Sequence, residues 1–198
     1  MTGKPYSAAT DRNRLPIAAV LREWLADRRR LLEIGSGTGQ HAVHIAALLP
    51  QLDWQCSDRA AYLPGIRQWL DEAALPNTPP PLELDVMDVW PSERYDAIFS
   101  ANTLHIMAWP EIERWFAQLP TVTTMDACMA IYGPFNINGD FTSESNAAFD
   151  RDLKRRGAHM GIRDAGAVDA LAAAAGFGLV EDVAMPSNNR MRLWRRSG

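Results

Sequence analysis

Residues 31–42 read LLEIGSGTGQHA. A short apolar run carries an acid, Glu33, and gives way to Gly35, Gly37 and Gly39 before polar residues resume. Glycines directly behind a strand allow backbone conformations closed to residues with a Cβ, and they let a ligand approach the main chain. A helix that follows points its first N–H groups at the same place. The stretch therefore reads as a strand-to-helix turn that either builds a nucleotide-type site or only reverses the chain. Its spacing, G-x-G-x-G, departs from the G-x-G-x-x-G of dinucleotide-binding turns because Gln occupies position 40. The neighbouring elements have to decide.

Working outward, the pattern alternates. Ile17, Val20, Leu21, Trp24 and Leu25 recur at helical spacing behind Pro16, with Arg28 to Arg30 expected to close that helix. Leu31 to Ile34 read as a strand, and an apolar-periodic helix from about Gly39 runs to Pro50. Leu52 to Ser57 form a second strand ending at Asp58, and Leu82 to Leu84 a third ending at Asp85. Between them lie a helix (Tyr62, Leu63, Ile66, Trp69, Leu70) and a proline-rich loop from Asn77 to Pro81. Tyr95 to Ser100 and Ala127 to Tyr132 are further strands, flanking a helix from Trp109 to Leu119. Helices follow from Ser145 to Arg156 and behind the capping Asp164. The strands Leu179 to Ala184 and Met191 to Trp194 read as an antiparallel pair joined by the MPSNNR turn. Strands alternating with helices of 10 to 15 residues indicate βαβ units and a mainly parallel sheet. The alternation continues from residue 31 onward, so residues 1–198 read as one domain, with 1–30 as a helical extension or lid.

In an open parallel sheet, ligands bind outside the carboxyl ends of the strands, near the point where strand order reverses. Asp58, at the second strand's end, can accept hydrogen bonds from both hydroxyls of a ribose. Asp85 falls at the next strand end, within reach of an adenine amino group. Ser100-Ala101-Asn102 ends the fourth strand with small residues facing the same crevice. Each acid alone is an ordinary capping residue, but their succession at consecutive strand ends favours a nucleoside site over a plain turn.

With these residues in view, the chain resembles the class I S-adenosylmethionine-dependent methyltransferases. LLEIGSGTGQ is similar to their first motif, WQCSD to the second-strand acid motif and LELDV to the third. DALAAAAGFGLVED and the last strand resemble the late helix, sixth strand and antiparallel seventh strand of that fold. More narrowly, DRNRLPIAAVL, SGTGQHAVHIA, SANTLHI, YGPF, SNAAFD and MPSNN resemble a small, little-characterised methyltransferase-like family found in bacteria and animals. The resemblance covers nearly the whole chain. It implies a Rossmann-like, seven-stranded, mostly parallel sheet with an antiparallel last strand and helices on both faces. It also implies S-adenosyl-L-methionine as cofactor, held by Glu33, Gly35, Ser36, Gly37, Gly39, His41, Asp58, Asp85, Val86 and Asn102. Glu33 is expected beneath the methionine end, either anchoring the loop or accepting from the amino group. A buried acid needs such partners.

Methyl transfer from a sulfonium is an in-line displacement, and positioning does much of the work. A general base is needed only where the nucleophile holds its proton tightly. His105 and Tyr132 are the candidates for such chemistry, each weighed against a packing role. Asn13, Arg14, Asn146 and Asn188 are candidate substrate contacts, although asparagine is also a standard turn and cap residue. His41 and His44 sit one helical turn apart without a third ligand, so no metal site is expected.

Composition narrows the partners. The net charge of −4 and the absence of an N/D-P-P-Y/F motif argue against a nucleic-acid substrate, leaving a small molecule or a protein as methyl acceptor. The basic clusters, Arg28 to Arg30, Lys154 to Arg156 and Arg190 to Arg196, read as helix-end and edge-strand charges. Cys56 and Cys128 lie in apolar stretches and read as core residues in a reducing compartment. With no apolar leader and no run of 18 apolar residues, the expectation is a cytoplasmic protein without membrane contact. Two function classes remain: a transferase, and a binding module of the same fold that holds S-adenosylmethionine without transferring a methyl group. A nicotinamide-dependent oxidoreductase fits less well with the glycine spacing and the final antiparallel strand.

Overall fold

The computed structural model describes residues 3–197. In chain order its elements begin with α1 (Ala8–Trp24), β1 (Arg30–Ile34), α2 (Gln40–Ala46), β2 (Asp53–Asp58), α3 (Leu63–Ala73) and β3 (Leu82–Glu83). Next come β4 (Tyr95–Ala101), α4 (Trp109–Val122), β5 (Thr123–Gly133), β6 (Phe135–Asn136) and α5 (Glu144–Arg156). The last are β7 (Arg163–Asp164), α6 (Ala165–Ala174), β8 (Phe177–Met185) and β9 (Asn189–Arg196).

Seven strands form one sheet in the order β3-β2-β1-β4-β5-β9-β8. β1, β2, β3, β4 and β5 are parallel to one another, while β9 runs antiparallel between β5 and β8. The expected antiparallel last strand is therefore present, inserted inside the sheet. The chain leaves β1 toward β2 and β3 and then returns to its other side as β4. The strand order consequently reverses between β1 and β4, where a crevice opens at the carboxyl ends.

Alternating side chains of the central strands feed two cores, because successive residues of a strand face opposite sides. Leu32, Ile34, Ile98, Met129 and Ile131 pack against α4 and α6 through Ile112, Trp115, Phe116 and Val168. Leu31, Trp54, Ala97, Phe99 and Ala130 pack against α1, α2 and α3 through Leu21, Ile45 and Ile66. Cys56 and Cys128 are fully buried in the second core, and both thiols are free. Burial raises both thiol pKa values, that of Cys128 to about 12, which keeps them protonated.

Several boundaries differ from the sequence reading, each for a local reason. α1 ends at Trp24, and Arg28 does not serve as a helix-end charge. Its side chain is buried and pairs with Asp27 (2.7 Å) and Asp126 (3.2 Å), while Arg30 opens β1. α2 stops at Ala46, short of Pro50. The carbonyls of Ala46, Leu49 and Leu52 instead accept from the buried Asn77 side chain, at 3.0, 3.1 and 2.9 Å. α4 continues past Leu119 through Pro120 to Val122. Hydroxyls of Thr121 and Thr123 donate to the Gln118 and Leu119 carbonyls, each at 2.7 Å, and so satisfy its last turn. Arg190 and Arg192 are likewise not solvated edge charges. Arg192 is 3% exposed and binds Asp169 and Asp182, each at 2.5 Å, and Arg190 meets Asp182 at 2.6 Å. The two-residue strands β6 and β7 pair as a separate small sheet that the sequence pattern did not announce.

Candidate functional site

A cavity of about 1000 Å³ opens at the carboxyl edge, where the chain reverses between β1 and β4. Its first wall is the glycine loop. Gly35 and Gly37 adopt φ of +75° and +59°, a region that residues with a Cβ seldom enter. A Cβ at Gly35 would strike the Thr103 side chain at 2.7 Å, whereas one at Gly37 would meet nothing within 4 Å and would protrude into open space. The loop thus leaves bare backbone facing the cavity at Gly37.

Two carboxylates hold this loop. Asp58 accepts from the Gly37 N–H at 2.7 Å and the Arg59 N–H at 2.8 Å. Burial raises its pKa, and these two donors oppose the rise. Beneath the loop, Glu33 is 1% exposed. Its Oε2 accepts from Ser36 Oγ (2.9 Å), Trp54 Nε1 (2.9 Å) and Cys56 Sγ (3.6 Å). Ser36 Oγ accepts in turn from the Ser57 N–H at 3.1 Å, stitching β1 to β2. Burial raises the Glu33 pKa, and the three donors lower it again. Asp85 lies just beyond β3, caps its own turn through the Met87 N–H at 3.0 Å, and lines the cavity beside Val86.

The N-terminal segment covers the same wall. Gly3, Pro5, Ser7 and Asn13 line the cavity. The segment is fastened to α3 by Trp69 Nε1 donating to the Pro5 carbonyl (2.7 Å), and by the Lys4 ammonium lying 3.6 Å over the Trp69 ring. Asn13 links α1 to α2. His41 Nε2 meets its Oδ1 at 2.8 Å, and both residues line the cavity with Tyr132 of β5. With Oδ1 as the acceptor, His41 carries its proton on Nε2. Burial, together with the nearby His44, lowers the His41 pKa to about 4, so its ring is neutral.

At the far end stand His105, Tyr132, Asn146, Phe149, Ser187 and Asn189. His105 is 7% exposed and packs edge-on against Phe149, with centroids 5.2 Å apart. Burial, then the charges of Arg156 and Arg163, lower its pKa to about 4, leaving a neutral imidazole. Asn146 spends both amide hydrogens on the protein, on Thr142 Oγ1 (2.9 Å) and the Asn188 carbonyl (3.1 Å). Its Oδ1 is the atom left for a ligand. Asn102, at the end of β4, sits at φ +57° and donates its N–H to the Tyr132 carbonyl at 2.8 Å. Ser187 and Asn188, at φ +59° and +56°, form the tip of the β8–β9 hairpin. Non-glycine residues in this region cost about 1–3 kcal/mol each and collect at binding sites.

A family model described as "Protein of unknown function (DUF938)" matches residues 4–196. The chain belongs to this family. Solved structures add the fold. An O-methyltransferase family protein from Burkholderia thailandensis superposes with a TM-score of 0.84 at 16% identity, over 96% of this chain and 58% of that one. The mitomycin 7-O-methyltransferase MmcR gives 0.83 at 17%, over 96% and 55%. Human N-acetylserotonin methyltransferase, solved in complex with SAM, gives 0.73 at 13%, over 95% and 57%. The chain therefore spans under two thirds of the length of these proteins, and at such identities the likeness is one of fold.

In this DUF938 chain, twelve of the sixteen expected site residues line the cavity: Gly35, Ser36, Gly37, His41, Asp58, Asp85, Val86, Asn102, His105, Tyr132, Asn13 and Asn146. Glu33, Gly39, Arg14 and Asn188 do not. Glu33 lies behind Ser36, and Gly39 begins α2 against Ile66. Arg14 pairs with Asp11 at 3.2 Å, and Asn188 spends its amide on Ser145 at 3.1 Å. Sequence reasoning missed Pro5, Ser7, Arg59, Phe149 and Ser187. Phe149 sits within the quoted SNAAFD stretch, yet no periodicity links it to His105. Among the described residues no group of three His, Cys, Asp or Glu side chains could hold a metal ion, and no helix is long and apolar enough to cross a membrane.

Proposed function

We propose that this chain is an S-adenosylmethionine-dependent methyltransferase acting on a hydroxyl of a small molecule or protein. One observation carries the reading. A glycine loop with bare backbone, tied to Asp58 at the strand-order reversal, opens into a cavity that continues to a neutral, buried His105. The residues present suit the cofactor. Asp58 retains acceptor capacity for ribose hydroxyls, Asp85 and Val86 flank a place for adenine, and Gly37 offers close approach to the main chain. S-adenosylmethionine, when bound, supplies a methyl group on a positively charged sulfur, which any well-placed lone pair can attack.

The chain's own contribution is orientation and proton handling. The strap around Pro5 and α1 cover the cofactor wall and limit the access of water. His105, unprotonated at neutral pH, takes the proton that an acceptor hydroxyl gives up. Tyr132 donates to an acceptor atom of the substrate, and Asn146 Oδ1 receives a donor. The solved O-methyltransferases of the same fold support an oxygen acceptor.

Titration of the protein with S-adenosylhomocysteine, followed by calorimetry, tests the reading. Binding in the micromolar range is expected, falling about a hundredfold in Asp58→Ala, which is about 2.7 kcal/mol. No binding at millimolar ligand, or unchanged binding in that variant, overturns it. Binding without S-adenosylhomocysteine production from any acceptor pool would leave a binding module instead.

A further inference from the structure

Arg163 opens β7 with a half-buried side chain that lies outside the candidate cavity. Its guanidinium is turned toward the loop that carries His105. Nε donates to the Leu104 carbonyl at 3.1 Å, and Nη2 donates to the carbonyls of Met107 and of His159, the latter at 2.7 Å. Leu104 and Met107 bracket His105 in sequence. The carbonyl of His105 itself accepts from the Gly161 N–H at 3.0 Å. Segment 159–163 therefore grips segment 104–107 by its backbone on both sides of the histidine. The imidazole makes an aromatic contact with Phe149 and takes no hydrogen bond from the protein among the described residues.

This is an unusual use of a cation. No carboxylate pairs with Arg163 within ion-pair distance among the described residues, and all three acceptors are backbone carbonyls. Only a guanidinium offers a rigid fork of donors able to span carbonyls three residues apart; an ammonium is a point donor on a flexible stem. The same loop has no regular secondary structure to fix it, since β4 ends at Ala101 and α4 begins at Trp109. Its short turn bonds, from Ile106 and Met107 to the Thr103 carbonyl, set its curvature but do not tie it to the rest of the molecule.

We propose that Arg163 is the positioning residue of this site: it locks the backbone around His105, so that the imidazole faces the cavity with an unshared lone pair. The proposal rests on the methyltransferase reading for its consequence, but the locking itself does not depend on that reading. The groups around the ring are Phe149 and Arg156 from α5, Arg163 from β7 and the side-chain-free Gly133 from β5. Both charges are positive, and both oppose protonation. Losing Arg163 removes one of them and lets water reach the ring, and the two effects act in the same direction.

The test is the titration of the histidine ring resonances by NMR in the wild type, Arg163→Lys and Arg163→Met, with S-adenosylhomocysteine binding measured in parallel. In the wild type, His41 and His105 are expected to titrate well below 6.5, at about 4. In Arg163→Met, His105 is expected to move toward 6.5 by at least about one unit, a tenfold gain in proton affinity, while His41 stays in place. Arg163→Lys keeps the charge without the fork and is expected to move His105 part of the way. Where an acceptor is turned over, the acid limb of the kcat profile shifts with the ring, and S-adenosylhomocysteine affinity stays unchanged. An unmoved His105 in a folded Arg163→Met protein overturns the proposal. If that variant does not fold, an unmoved His105 in Arg163→Lys does the same. Failure of S-adenosylhomocysteine to bind the wild type would remove the methyltransferase reading while the titration still decides the role of Arg163.

Discussion

At the glycine-loop end of the cavity, Gly37 and Asp58 stand on the ends of adjacent strands and are joined by one short hydrogen bond. At the other end, His105 follows β4, Tyr132 ends β5, Asn146 and Phe149 come from α5, and Ser187 tips the β8–β9 hairpin. The first end is built by the sheet itself: parallel neighbours in register bring their loops together with no further device. The second is assembled from segments that the sheet does not juxtapose, and each is held by a bond to backbone. Arg163 ties down the His105 loop, and the Asn146 amide ties down the hairpin. A site of this construction can keep its glycine-loop end constant while its other end is altered one tie at a time, because the ties lie outside the sheet.

Three measurements can break or sharpen that contrast. The largest effect is expected at Gly37. Replacing it with Val forces a β-branched residue to φ +59° and projects its side chain into the cavity. S-adenosylhomocysteine affinity should fall about a thousandfold, about 4 kcal/mol, with the fold intact by circular dichroism. Near-wild-type binding would mean that this end is not built on bare backbone.

Glu33 comes next. Glu33→Ala orphans the buried Trp54 N–H and Ser36 hydroxyl and should cost about 3 kcal/mol in urea unfolding. Glu33→Gln keeps an oxygen acceptor, is relieved of carboxylate desolvation, and should lose less than about 1 kcal/mol near neutral pH. Equal losses in the two variants would show that charge, and not hydrogen-bond acceptance, supports the loop.

The smallest effect concerns His105 at the far end. Its folded-state pKa of about 4 lies below the ordinary 6.5, so between these values the unfolded chain binds more protons. The stability associated with the neutral ring is therefore complete above pH 6.5 and is lost as the pH falls toward 4. His105→Gln should reduce the drop in unfolding free energy between pH 7 and pH 4.5 by about 2 kcal/mol relative to the wild type. An identical drop in both proteins would mean that the ring is solvated and the far end open.

The glycine-loop end of the cavity was largely legible in the sequence because its residues sit where local units end. G-x-G-x-G, Asp58 and Asp85 each follow a strand that periodicity alone locates. What Glu33 touches was not legible: its partner Trp54 becomes visible only once the β1–β2 register sets Glu33 opposite Cys56. Arg28 was misread for a related reason, since its partner Asp126 lies in β5, nearly 100 positions away in the chain. The helix expected to end at Leu119 runs on through Pro120 to Val122, and the Thr121 and Thr123 hydroxyls that satisfy its last turn do so by side-chain geometry. The far end was the least readable. His105, Tyr132 and Asn146 carried chemistry that could be named, but nothing in their spacing placed them in one cavity or pointed to Arg163.

The position of β9 bears on how this molecule assembles itself. β8 precedes β9 in the chain, yet its one neighbour in the sheet is β9, and of these two strands only β9 pairs with β5. β8 therefore cannot be added to a growing sheet on its own. It arrives as half of a preformed hairpin, a structure that closes within about 1–10 μs, whose other half must then find Cys128 to Gly133. That docking closes a long loop and carries most of the entropic cost of completing the sheet. Until it happens, β5 is an unpaired edge carrying Cys128, Met129, Ala130 and Ile131, open to pairing with another chain.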